Sequence, residues 1–169
     1  MGRLEQSFFR SPDSSHRVPG LGEKELSELL QNALALHEEI LLSGRELIDS
    51  DSLGFVYGKD AGEAKLKEII AGTPIEAELS VQLAYLARAI TCAQVFNEGN
   101  KRFASVFMNF WLRPMGLRIQ ATGQEMETFM VSVLEGCPSI PLATERLHDR
   151  DAVYQYALEW LRNRIVRII

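Results

Sequence analysis

Residues 94–102 read QVFNEGNKR and run straight into FASVFMNFWL. Within five positions this stretch gathers a carboxylate (Glu98), a Gly-Asn pair (Gly99, Asn100) and two cations (Lys101, Arg102). Those residue types at that spacing could hold phosphate. If one helix ends near Ala93 and the next begins near Asn100, the loop sits at the positive end of the second helix. Backbone N–H groups there have no intrahelical partner and can face an anion. Gly99 lets the backbone approach a ligand closely. Lys101 and Arg102 oppose the helix dipole in the first turn, and a bound anion would relieve that misfit. Arg102 can grip phosphate oxygens bidentately, while Lys101 acts as a mobile point charge. Glu98 suits Mg²⁺, which takes one or two carboxylates together with substrate phosphates. Phe96 would anchor the loop in the core. On the residues alone a second reading stands beside this one: a polar turn between helices, with Asn and Gly chosen for turn chemistry. Gln94 opens the stretch, and an amide cannot take a proton from anything.

The elements that must position these residues follow from periodicity. Leu26, Leu29, Leu30, Ala33, Leu36 and Ile40 recur at helical steps, predicting a helix from Glu23 that ends near Ser43 and Gly44. Between Asp49 and Gly72 the chain holds FVYGK, a short strand or hairpin, and then EAKLKEIIAG, a short helix closed by Gly72. Thr73-Pro74-Ile75-Glu76 has the form of a capping box with proline in the first turn. It predicts a helix that carries Leu79, Leu83, Leu86, Ile90 and Ala93 into the phosphate-like loop. FASVFMNFWL is apolar on nearly all sides, as expected of a helix in the middle of a domain, and Pro114 to Gly116 ends it. Thr122 and Glu125 form a second capping box, before a helix bearing Met126, Phe129, Met130 and Val133 that stops at Gly136 and Pro138. From about Asp151, a last segment places Val153, Ala157, Trp160, Leu161, Ile165 and Ile168 on one helical side. The fold expected is all-α: an irregular arm over residues 1–22, then one compact helical domain over 23–169 around a buried central helix, with a short β-hairpin flap.

The 169 residues suffice for one core, and 46% apolar with 24% charged residues is globular composition. A net charge of −5 argues against a diffuse basic surface for nucleic acid. No apolar run approaches the roughly 18 residues that span a bilayer, and the N-terminus lacks the pattern of a secretory signal or a myristoylation site. Cys92 and Cys137 are too few for a disulfide framework and have no zinc-type spacing. The expectation is a reduced, cytoplasmic protein with two thiols.

QVFNEGNKRFA resembles the signature loop of the Fic/Doc (Fido) family, H-x-F-x-[D/E]-G-N-x-R. Phe96, Glu98, Gly99, Asn100 and Arg102 occupy its fixed positions. The Lys-Arg ending before a small residue is closest to the Doc, or death-on-curing, branch. LHEEIL at residues 36–41, the helix before the motif and the chain after it extend the resemblance over roughly residues 25–137. The resemblance implies a compact helical fold whose central helix follows the motif. It also implies transfer of AMP or of a phosphate from ATP to a hydroxyl side chain of a target protein, with an antitoxin as a further partner in Doc-like members. Carried over by position, Glu98 would hold Mg²⁺, Gly99 and Asn100 would cradle the anion, and Arg102 would grip phosphate beside Lys101. A flap between about Leu53 and Thr73, with FVYGK at its edge, would align the target chain.

Two departures stand out. Ser105 occupies the place of a second arginine found in many Fic enzymes, which suits the Doc branch. Gln94 occupies the place of the family's catalytic histidine, whose near-neutral pKa suits it to accept the proton of the attacking hydroxyl. Loss of such a base typically lowers the rate by about 10²–10⁴, so nucleotide binding and transfer can separate here. The expectation is therefore a Fic/Doc-type transferase impaired at Gln94, with a non-catalytic nucleotide- or protein-binding module as the alternative. His37, His148 and His16 are weighed as replacement bases and set aside: His37 as a surface or boundary residue of the first helix, His148 as solvated, His16 as part of the arm. Ser27 to Asn32 approximates the inhibitory pattern [S/T]-x-x-x-E-[G/N] of some Fic proteins, but has Gln31 where that pattern needs glutamate.

Overall fold

The computed structural model describes residues 22–43, 54–137 and 151–169. His16, His148, Leu53, Pro138 and nearly all of the 1–22 arm lie outside the described residues. The chain forms α1 (Glu23–Leu42), α2 (Lys59–Ala71), α3 (Leu79–Ala93), α4 (Asn100–Leu112), β1 (Leu117–Ile119), α5 (Gly123–Gly136), α6 (Ala152–Leu161) and β2 (Ile165–Arg167). It is the expected all-α architecture, with one small antiparallel sheet in which Arg118 faces Val166.

The two helices flanking the motif make the centre. α3 packs against α2, α4, α5 and α6, and its Leu83, Ala84, Leu86 and Ala87 are fully buried. α4 buries Phe103, Ala104, Phe107, Met108 and Leu112, while Lys101, Arg102 and Val106 are exposed. Phe96 meets Phe103 edge to face at 5.0 Å, and Phe103 stacks on Phe107 at 5.3 Å, in sequence through the core. Each buried phenylalanine contributes about 1.5–3 kcal/mol of transfer free energy, so the motif loop is fastened to the buried apolar core.

Three local expectations are corrected. Thr73 does not start α3: residues 73–77 form turns, and α3 begins at Leu79 with Glu78 as its cap. A buried side chain overrides the capping pattern. Gln82 donates to the carbonyls of Ile75 and Ala77 while its own oxygen accepts from the Trp111 indole, which fixes this segment as a turn against α4. Thr73 instead bonds the Ile69 carbonyl at the end of α2. The last helix is also shorter than expected. It stops at Leu161, and Ile165 lies in β2, paired with Ile119, because the run Ile165-Val166 prefers an extended backbone. Finally, Cys92 and Cys137 are not thiols but a disulfide, which joins the last turn of α3 to the end of α5.

Other expectations hold. Thr122 and Glu125 form a reciprocal capping box at α5, Gly72 closes α2, and Gly116 turns the chain at φ +67° after Pro114. The flap expected between about Leu53 and Thr73, however, does not form a hairpin among the described residues: Phe55 makes one isolated bridge to Phe96 and the chain is helical over Lys59–Ala71. No helix among the described residues is long and apolar enough to cross a membrane.

Candidate functional site

The motif occupies the corner between α3 and α4. α3 ends on Gln94, whose backbone is left-handed at φ 49°, ψ 50°. Among the described residues Gln94 is the single non-glycine at positive φ, a conformation that costs an L-residue about 1–2 kcal/mol and tends to mark functional turns. Its side chain is exposed. The next residues run extended. Phe55 and Phe96 form an antiparallel bridge, with Val56 N–H donating to Val95 O and Asn97 N–H to Gly54 O. The FVYGK stretch is thus strand-like only where it meets the motif, and Val56 and Tyr57 beyond it are exposed.

Phe96 is the anchor anticipated from the sequence, 1% exposed. Asn100 fastens it twice: its amide oxygen accepts from Phe96 N–H at 3.0 Å and its amide nitrogen donates to Phe96 O at 2.7 Å. The Asn100 side chain is therefore committed to shaping the loop, and only its backbone N–H is left to serve an anion cradle. Gly99 caps α4 at φ +81°. A Cβ there would lie 3.1 Å from Leu41 Cδ2 and 3.6 Å from His37 Nε2, so both backbone angle and close packing call for glycine.

His37 is the correction that matters most. It is 3% exposed, not a surface residue, and its Nε2 lies 2.9 Å from the Glu98 carbonyl. Its ring stacks flat on Phe96, with centroids 3.6 Å apart and planes 9° from parallel. Burial holds the imidazole below its ordinary pKa; the Glu98 bond opposes this, and Arg102 adds to the depression. The sequence carried a signal for it. His37 lies four residues after Ala33 and four before Leu41, both fully buried, on the inner stripe of α1. Gln31 and Ser27 of the inhibitory-like pattern are exposed on α1.

The charged groups converge on the N-terminus of α4. Lys101 and Arg102 are exposed in its first turn, which contains no acidic residue and has no side-chain cap. The first intrahelical bond, Phe103 N–H to Gly99 O, is 2.7 Å long, so the preceding N–H groups lack helical acceptors. Ser105 bonds the Arg102 carbonyl. Glu98 is half-buried one residue before Gly99. No group of three or more His, Cys, Asp or Glu among the described residues is placed to hold a metal ion. The donor set therefore fits Mg²⁺ only with Glu98 as one carboxylate in a shell completed by phosphate oxygens and water.

A second polar depression involves none of these residues. It is lined by Arg118, Gln120, Thr122, Glu125, Asn163 and Arg164. Glu125 is engaged in its capping box, and Arg164 lies over the Trp160 ring and bonds its carbonyl. No family model, no curated protein and no solved structure matches the chain.

Proposed function

We propose that the corner between α3 and α4 binds the phosphates of a nucleotide, ATP with Mg²⁺, in a Fic/Doc-like domain that transfers AMP or phosphate to a hydroxyl side chain of a target protein. The observation that carries this reading is the uncapped first turn of α4, with Lys101 and Arg102 exposed beside it. An acidic or hydroxyl cap would satisfy those N–H groups internally; here Gly99 supplies neither. Arg102 and Lys101 would neutralise the phosphates, and Glu98 would share the cation with them. The target chain would align beside Val56 and Tyr57 at the exposed edge of the flap. When bound, Mg²⁺ would supply charge neutralisation for the transferred group.

Gln94 can orient a hydroxyl through its carbonyl but cannot take its proton, so transfer is slow or absent while binding is retained. The second reading, a nucleotide- or partner-binding module acting within a toxin–antitoxin pair, rests on this same residue. The proposed cytoplasmic setting is opposed by the Cys92–Cys137 disulfide, since reducing compartments keep such pairs as thiols. Alkylation of protein taken directly from cells, read by mass, decides it.

Calorimetry with Mg²⁺-ATP should show binding that Arg102→Ala weakens by about thirtyfold, the worth of a charge-assisted pair. Labelled ATP added to protein and cell lysate should mark a target strongly with Gln94→His and weakly or not at all with the parent. ATP binding without transfer by either protein favours the binding module. Absence of binding, with Arg102→Ala indistinguishable from the parent, ends the phosphate reading.

A further inference from the structure

We infer that His37 is a positioning residue for the phosphate loop: by donating Nε2–H to the Glu98 carbonyl it sets the orientation of the Glu98–Gly99 peptide and so aims the Gly99 N–H. The inference rests on the phosphate reading above and concerns how that loop is made ready.

A carbonyl oxygen only accepts hydrogen bonds, so the contact requires the proton on Nε2. The 2.9 Å separation is that of a full hydrogen bond. The ring has little freedom to turn away, being stacked on Phe96 at 3.6 Å and met edge-on by Phe103 at 6.0 Å. The bond therefore fixes the carbonyl in space.

What that fixes is the residue least able to fix itself. Glycine adopts left- and right-handed backbone with similar ease, and Gly99 sits at the junction of loop and helix. Both carbonyls bounding its Cα are anchored. Glu98 O is held by His37 on α1, and Gly99 O is held by Phe103 N–H on α4. The peptide unit is planar, and no cis bond occurs among the described residues, so the Gly99 N–H points opposite to the Glu98 carbonyl. With that carbonyl turned in toward α1, the N–H is turned away from it, beside the donors of the uncapped turn. Without His37 the Glu98–Gly99 peptide could rotate and present its oxygen to an incoming phosphate, which would repel it. Leu41, 3.1 Å from where a Gly99 Cβ would stand, holds the backbone close to α1 but supplies no hydrogen bond. His37 supplies a hydrogen bond that distinguishes the two peptide orientations.

The test uses two variants that divide the functions of the imidazole. His37→Phe keeps an aromatic ring against Phe96 and removes the donor; His37→Gln keeps an N–H of similar reach and removes the ring. Mg²⁺-ATP affinity is measured by calorimetry, and the Gly99 amide is followed by ¹H–¹⁵N NMR. The Phe variant should bind about tenfold more weakly and shift the Gly99 resonance, the effect of losing one buried hydrogen bond. The Gln variant should restore both to near parental values. An unmoved Gly99 amide with unchanged affinity in the Phe variant overturns the inference while leaving the phosphate reading intact. A parent that fails to bind ATP, while its Gly99 amide still shifts in the Phe variant and returns in the Gln variant, sinks the phosphate reading and leaves the peptide-orienting role of His37 standing. If the Phe variant does not fold, the Gln variant decides: parental Gly99 shift and affinity support the donor role, and loss of both overturns it.

Discussion

Asn100 and Gly99 are the residues at which the loop is most sharply constrained, and they fail in different ways. Asn100→Asp keeps the acceptor for Phe96 N–H but sets an oxygen against Phe96 O, where the amide now donates at 2.7 Å. A buried group left without its partner costs about 1–3 kcal/mol, so chemical denaturation should show the Asp variant at least about 2 kcal/mol less stable at neutral pH. A variant as stable as the parent would mean the Asn100–Phe96 pair does not hold the loop. Residue identities of this kind were legible as a motif but not as a mechanism. The sequence marks Glu98, Gly99, Lys101 and Arg102 as candidate ligand-facing residues, and the structure places them around the N-terminus of α4. The sequence could not show that Asn100 spends its amide on Phe96, because a side chain's partner four residues away depends on how the corner folds. The role of His37 is hidden from the sequence for a related reason: a polar residue on an otherwise apolar stripe reads as a boundary position until its hydrogen-bond acceptor, 61 residues distant, is known.

At the scale of elements, the Cys92–Cys137 bridge ties α3 to α5 two residues before Gln94. It spans 45 residues of chain, and closing a loop of that length limits the unfolded ensemble by about 4 kcal/mol. Reduction, or Cys92→Ser with Cys137→Ser, should lower the melting temperature by a corresponding amount. Intact protein under non-reducing, denaturing conditions should bind no maleimide. Two reactive thiols in that assay would show that the pair is reduced in solution. Spacing alone could not reveal this contact, since two cysteines in a chain of this length are compatible with either state and only the packing of α5 on α3 brings them together. Element starts show the same limit. The capping box at Thr122 forms as its pattern implies, whereas the one at Thr73 gives way to Gln82 and Trp111, residues whose pairing joins α3 to α4. The β-branched end of the chain keeps a helical period, but it pairs with β1, a partner far away in sequence.

At the scale of the whole molecule, an ion pair among the described residues joins α3 to the C-terminal part of the chain. Arg88 of α3, 6% exposed, bonds Asp151 through its Nε at 2.8 Å and its Nη2 at 2.7 Å, while Asp151 also caps α6 by accepting from Tyr154 N–H. Burial pushes the Asp151 carboxyl up, but Arg88 and the Tyr154 N–H outweigh it and hold the group below its ordinary value of 3.8. A carboxylate whose folded pKa is lowered adds stability that is complete above the unfolded pKa and disappears as pH falls through the folded one. Acid unfolding should therefore include a proton taken up below pH 3.8 that Asp151→Ser lacks. The Ser variant keeps a capping oxygen but strands Arg88 as a buried charge, a defect worth about 3 kcal/mol. Adding Arg88→Met removes that charge and should recover most of the loss, because replacing both ends of a buried pair is far milder than removing one. If the double variant is no more stable than Asp151→Ser, the penalty comes from the cap and from packing at the start of α6, and the ion pair is not what holds α6 to the centre of the fold.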